Sequence, residues 1–138
     1  MRTRVAACCC CCLLLTAIAP SAVTADKAEI KYLLYCGGCH LPDGTGAPPE
    51  VPTLHDVPGR IESMKGGRDY LVRVPGAAQA PMTDADLAVV LNYLLARFSS
   101  ATLADDFKPY TGKEVATYRH DILADPLKRR AEIIDANR

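Results

Sequence analysis

The chain has 138 residues, enough for one domain, and its 16 Lys and Arg residues balance 16 Asp and Glu residues. This balance, without any basic stripe, argues against a nucleic-acid partner. Most of the seven cysteines form the run 8–12 near the amino terminus, and only Cys36 and Cys39 follow it, which excludes a disulfide framework in the body of the chain.

The first 25 residues have the pattern of an export signal. Two arginines near the start precede an apolar stretch over residues 5–19, and small residues at 23–25 precede a cut before Asp26. The apolar stretch is shorter than the about 20 residues that a membrane span needs. We therefore predict a cleaved signal peptide over residues 1–25, a periplasmic mature protein, and no transmembrane segment in the mature chain.

Two other interpretations of the leader stay open. Small residues precede Cys8, as in a lipoprotein, although the apolar core follows Cys8 instead of preceding it. An uncleaved anchor is the second interpretation, for which the apolar stretch is short.

A short predicted helix over residues 26–35 leads directly into the run from Cys36 to His40. Asp26 can cap this helix, and its apolar residues, Tyr32 among them, recur at helical spacing. Residues 36–40 read Cys-Gly-Gly-Cys-His, the Cys-x-x-Cys-His signature of c-type haem. Two thiols at this spacing each add across one vinyl group of the same porphyrin, and the adjacent histidine supplies an axial nitrogen to the iron.

The motif predicts one covalent haem c, attached through Cys36 and Cys39, with His40 as an iron ligand. Two alternatives are weaker. A thioredoxin-like cysteine pair follows a strand, whereas a helix is predicted here. A zinc site needs four ligands, and His55 and His120 are scattered, with no close histidine pair.

The segment 42–54 combines turn residues with a proline-rich run, so we expect it to be irregular. A haem-bound histidine needs a partner for its second ring nitrogen, and a backbone carbonyl of this loop can supply it. Beyond a glycine pair, residues 69–74 are predicted to form one or two helical turns. Tyr70 and Arg73 either approach the haem propionates there or cover the edge of the core, which is the default.

Met82 is predicted to be the second axial ligand, because a thioether is a soft donor and Met with His is a standard axial pair. It follows Pro81 in a non-helical stretch and comes directly before a predicted helix. The alternatives for this position are Met64, His55, His120 or an open site.

The helix after Met82 is the strongest periodic signal in the chain. Thr83 can cap it, and acidic residues follow in its first turn. Its apolar residues share one face: Leu87, Val90, Leu91, Leu94, Leu95 and Phe98.

Residues 26–98 resemble the class I monohaem cytochrome c family. The resemblance rests on Tyr32, the motif 36–40, Asp43-Gly44 with Gly46, Pro52-x-Leu54, and the last-helix sequence Asn92-Tyr93-Leu94-Leu95. It implies that the Pro52 carbonyl accepts a hydrogen bond from His40, that Leu54 packs on the haem, and that Arg60 neighbours a haem propionate. It also implies that Tyr32 meets the last helix.

The resemblance does not cover residues 99–138, where two short helices are predicted. Thr111 begins a capping box with Glu114, and Asp125-Pro126 is a second helix start. Leu127, Ala131 and Ile134 give the second helix an apolar stripe. We favour an extension that packs back on the haem domain over a docking arm for a partner.

These observations predict an all-α fold, with a haem domain over residues 26–98 and a helical extension over residues 99–138. We expect a one-electron carrier that exchanges electrons with redox partner proteins, such as a dehydrogenase or oxidase, and is not itself an enzyme. One alternative is a permanent haem subunit of a dehydrogenase or oxidase complex. Another is a gas-binding or peroxidatic haem protein with an open sixth position.

Overall fold

Helices and connecting loops make up residues 21–138, the part of the chain that a computed structural model describes, with side chains described from Lys27 onward. Most of the predicted signal peptide, together with Cys8, lies outside this part. In chain order the helices are α1 (Ser21–Tyr35), α2 (Gly37–His40), α3 (Val57–Glu62), α4 (Gly67–Arg73), α5 (Pro75–Ala78), α6 (Asp84–Phe98), the 3₁₀ turn Ser100–Thr102, α7 (Gly112–Tyr118) and α8 (Pro126–Ala136). The all-α fold predicted from the sequence is confirmed. Within the residues so described, none of the helices has the length and apolar character to cross a membrane.

The first helix begins at Ser21, earlier than the predicted start at Asp26. Residues 21–35 contain neither proline nor glycine, so nothing in the sequence interrupts the helix before Tyr35. In the full-length chain Asp26 therefore lies inside α1 and not at its start.

Tyr32 joins α1 to α6. Its side chain is fully buried, and its ring centroid lies 5.3 Å from that of Phe98 and 5.9 Å from that of Tyr93. Its hydroxyl donates a hydrogen bond of 2.6 Å to the carbonyl oxygen of Leu41. Burial is the main reason why the pKa of Tyr32 rises to about 12. The expected contact between the first and last helices of the haem domain is thus present, and it fixes both ends of the haem-attachment motif.

The glycine pair at 66 and 67 separates α3 from α4 for a steric reason. A β-carbon at position 67 would lie 1.6 Å from the carbonyl oxygen of Ile61, so no other residue fits there without moving the backbone. Gly66 has a φ of 84°, a left-handed conformation that favours glycine. This close approach packs α4 against α3 and directs the buried side chains of α4 into the core.

The apolar face predicted for α6 is confirmed. All six of its predicted core residues are buried, and the Thr83 hydroxyl accepts a hydrogen bond of 3.1 Å from the backbone amide of Asp86. The helix therefore starts at a fixed point directly after Met82.

The carboxyl-terminal extension shares the hydrophobic core of the haem domain. Tyr110, Val115, Leu123 and Ile133 are buried in the same cluster as Tyr32 and the α6 face. Polar contacts reinforce this packing. The Asn92 side-chain amide exchanges two hydrogen bonds with the backbone of Tyr110, at 2.7 and 3.0 Å.

An arginine of α4 also holds the extension. The Arg68 guanidinium donates to both carboxylate oxygens of Glu114, at 2.7 and 2.8 Å, and pairs with Glu62. The predicted cap of α7 is present, because the Thr111 hydroxyl accepts from the Glu114 amide at 3.2 Å. In a capping box the Glu114 carboxylate would bind the backbone amide at the start of α7. It binds Arg68 of α4 instead.

The apolar stripe predicted for α8 was wrong in register. Ile133 is the buried residue, 2% exposed, whereas Leu127 is 39% exposed. Ile133 joins the core cluster where α8 packs against the start of α4, with its Cγ1 atom 3.9 Å from the position that a β-carbon of Gly66 would take. Periodicity within α8 alone does not specify which of its apolar residues faces that surface.

The shared core predicts that the extension contributes to stability. Val115→Ala removes two methyl groups from a fully buried site on α7. We expect it to lower the free energy of unfolding of the holoprotein by about 1.5–3 kcal/mol, measured by urea denaturation. Val89→Ala on α6 is the matched control, since Val89 is 43% exposed, and its effect should stay within about 0.5 kcal/mol. Equal small effects would contradict a shared core.

Candidate haem site

A cavity of about 360 Å³ lies between the motif, the proline-rich loop and α6. Cys36, Cys39 and His40 border it on one side, and leucines such as Leu91 and Leu94 border it from α6. Because α1 is fixed against α6 and runs directly into the motif, both thiols and the imidazole reach the same apolar space.

His40 is oriented by the loop that follows it. Its Nδ1 atom donates a hydrogen bond of 3.1 Å to the carbonyl oxygen of Pro52. A carbonyl only accepts, so the proton resides on Nδ1 and the lone pair of Nε2 is available for a metal. Burial lowers the pKa of His40, and the hydrogen bond to Pro52 partly opposes this shift. A neutral imidazole with a fixed tautomer is the form that binds iron.

The two thiols are not arranged for redox catalysis. Cys36 is half-buried, and burial, followed by the proximity of Cys39, raises its pKa to about 11. Redox-active Cys-x-x-Cys pairs instead have a cysteine whose pKa is lowered, because the thiolate is the nucleophile. This difference disfavours the thioredoxin-like alternative.

Leu54 is held rigidly at the cavity wall. Its side chain is buried and borders the cavity. Its backbone amide donates to the carbonyl of Gly44 at 2.8 Å, and its carbonyl accepts from the buried Ser99 hydroxyl at 2.7 Å. The proline-rich loop is irregular, as expected, and both the backbone amide and the carbonyl of Leu54 are hydrogen-bonded.

The arginine at the cavity comes from the extension. Arg130 of α8 is the one Lys or Arg side chain among the described residues that border the cavity, where it joins Leu127 and the buried Tyr70. Arg60 is exposed on α3 and does not border it. The propionate contact of Arg60 stays a prediction, and Arg130 escaped the sequence analysis because α8 reaches the cavity only through tertiary packing.

Met82 lies beside the cavity rather than on its wall. It borders a neighbouring groove of about 680 Å³, and Ala80, two residues earlier, borders both spaces. Of the alternative ligands, His120 borders the same groove as Met82, while Met64 and His55 border neither space. The role of Met82 as sixth ligand stays a prediction.

The residues present fit a c-type haem. The cavity has mainly apolar walls, with two free thiols three positions apart and an imidazole whose second nitrogen is already hydrogen-bonded. These are the groups that attach and ligate such a cofactor.

Comparisons with known proteins point to the same cofactor. No family profile matches the sequence, and no solved structure matches it. Two curated relatives do, both of them a cytochrome c-552 of Thermus thermophilus, the second from a specified strain of that species. Each is 31% identical over an alignment of 113 positions, and the match covers 69% of this chain and 85% and 75% of the relatives, respectively. The chain therefore belongs to the class I monohaem cytochrome c family, whose members carry covalently bound haem c and transfer electrons rather than act as enzymes.

Proposed function

We propose that this protein is a periplasmic one-electron carrier whose single haem is attached through Cys36 and Cys39 and ligated by His40 and Met82. The observation that carries the proposal is the hydrogen bond from His40 Nδ1 to the Pro52 carbonyl, at the mouth of an apolar cavity that both thiols border. When bound, the haem supplies one-electron chemistry, since its iron alternates between the ferrous and ferric states.

The protein has three tasks in this function. Cys36 and Cys39 attach the cofactor, and the Pro52 carbonyl keeps His40 in one orientation. Leucines of the loop and of α6, such as Leu54, exclude water from the cavity. A rigid, dry site reorganises little when an electron arrives, which favours transfer over ligand chemistry.

Met82 is supported as sixth ligand by its position in the chain. It lies between Ala80, which borders the cavity, and Thr83, which caps α6. It is half-buried and packs against the core. A soft donor is therefore held beside the cavity at the start of a rigid helix.

Replacement of Met82 tests the proposal. Met82→Leu keeps the bulk and removes the sulfur. We expect the Met-to-iron charge-transfer band to disappear, the reduction potential to fall, and the ferrous protein to bind carbon monoxide, all measured on the purified holoprotein.

Met64→Leu is the matched control, because Met64 packs against the core but borders neither the cavity nor the groove. It should keep the spectrum and cost less than about 1.5 kcal/mol in stability. A wild-type spectrum that survives Met82→Leu but not Met64→Leu would overturn the assignment. Rapid binding of carbon monoxide by the wild type would favour the gas-binding function.

Export to the periplasm is supported by the leader over residues 1–25, with its early arginines and its short apolar stretch. Maturation before Asp26 would leave Cys36 and Cys39 as the only cysteines. We expect amino-terminal sequencing of the purified exported protein to begin at Asp26. A lipid-modified Cys8 at the amino terminus would instead place the protein on a membrane surface.

A further inference from the structure

Hydrogen bonds from the Arg119 side chain join the carboxyl-terminal extension to the Met82 loop, residues 78–82. This arginine follows α7, and its side chain is only 11% exposed. Its guanidinium donates to the carbonyl oxygens of Ala78 at 2.9 Å and Met82 at 2.7 Å, and also to that of Ala80. It forms an ion pair of 2.9 Å with Asp84, the first residue of α6.

These contacts give hydrogen-bond donors to carbonyl oxygens at the end of α5 and in the loop that follows it. The chain between α5 and α6 is irregular, and Pro81 has no amide hydrogen to offer. Three carbonyls from alternate positions, 78, 80 and 82, converge on one planar cation with five N–H donors in fixed directions. A guanidinium bound in this way holds the loop as one unit, because any movement of the loop separates several charge-assisted hydrogen bonds.

Arg119 is itself held in place by the packing of α7. A β-carbon at Gly112 would lie 3.0 Å from the Cα atom of Ala85, so glycine allows the start of α7 to approach α6 closely. Val115 is fully buried one turn later, and its carbonyl accepts a hydrogen bond of 2.9 Å from the Arg119 amide. The position of Arg119 is thus set by contacts within the polypeptide itself.

We propose that Arg119 is a positioning residue for Met82: it holds the backbone of the loop 78–82 beside the cavity, in the place from which the thioether would reach the iron. This inference rests on the proposed ligation by Met82. A thioether is a soft ligand and competes poorly for ferric iron with nitrogen donors. Displacement of Met82 by such a donor requires the loop to move, and movement must break the bonds to Arg119.

Arg73 is a matched comparison, since it also joins the extension to the haem domain. It donates to the carbonyl oxygen of Asp121 at 2.7 Å, and pairs with the carboxylates of Asp121 at 2.6 Å and Asp69 at 2.9 Å. Among the described residues, its side chain makes no hydrogen bond or ion pair with the loop 78–82. Loss of Arg73 therefore loosens the extension without releasing the Met82 loop.

The experiment compares Arg119→Gln with Arg73→Gln in the full-length holoprotein. The rate of imidazole binding to the ferric form is followed by the loss of the Met-to-iron charge-transfer band, and thermal unfolding is measured in parallel. We expect Arg119→Gln to accelerate imidazole binding by about tenfold or more, because several charge-assisted hydrogen bonds no longer oppose opening. Arg73→Gln should lower the melting temperature but change the binding rate by less than about twofold.

Arg119→Lys is the second variant, and it replaces Arg119→Gln if that protein does not retain haem. Lysine keeps the charge but is a point donor that cannot bridge three carbonyls, so an intermediate acceleration is expected. Equal acceleration by Arg119→Gln and Arg73→Gln would show that Arg119 only anchors the extension, and unchanged rates in the Arg119 variants would likewise overturn the inference. Absence of the band in the wild type would instead reject ligation by Met82 itself.

Discussion

The packing of Tyr32 between α1 and α6 is the contact on which the haem site depends. One buried ring touches Phe98 and Tyr93, and its hydroxyl binds the carbonyl of Leu41 directly after the motif. The Tyr32 carbonyl also accepts the amide of Cys36 at 2.8 Å. The motif is therefore fixed at its first residue and just beyond its last, and both thiols and His40 face the same cavity as a consequence.

A small domain buries only a small hydrophobic core. The extension enlarges the core of the haem domain with its own buried side chains. Its attachment relies on arginines at three separate places. Arg68 binds Glu114 of α7, Arg73 binds Asp121, and Arg119 reaches back from the extension to the Met82 loop. Paired and partly buried guanidinium groups of this kind give directional contacts that apolar packing alone does not supply. The extension is therefore part of the structural support of the haem domain.

Much of the fold and part of the site could be predicted because the signals are local. The cap at Thr83, the apolar face of α6 and the start of α8 at Asp125-Pro126 each depend on residues within a few turns of one another. The hydrogen bond between His40 and Pro52 followed from a family resemblance, which matches the spacing of twelve residues between the two partners.

The features that were missed depend on partners far along the chain. Burial of Ile133 in place of Ile134 depends on how α8 packs against α4, and the approach of Arg130 to the cavity depends on the path of α8. The contacts of Arg119 with carbonyls about forty residues earlier leave no trace in sequence periodicity, because a carbonyl acceptor has no side-chain signature.

Mass spectrometry of the exported protein tests the central claim, which is covalent haem at Cys36 and Cys39, most directly. Trypsin cleavage after Lys31 and Arg60 gives the peptide 32–60, which contains both cysteines and His40. We expect this peptide to carry the mass of one haem that acid–acetone extraction does not remove, with neither cysteine accessible to alkylation. A peptide 32–60 with the mass of the bare polypeptide and two alkylated cysteines would contradict the claim.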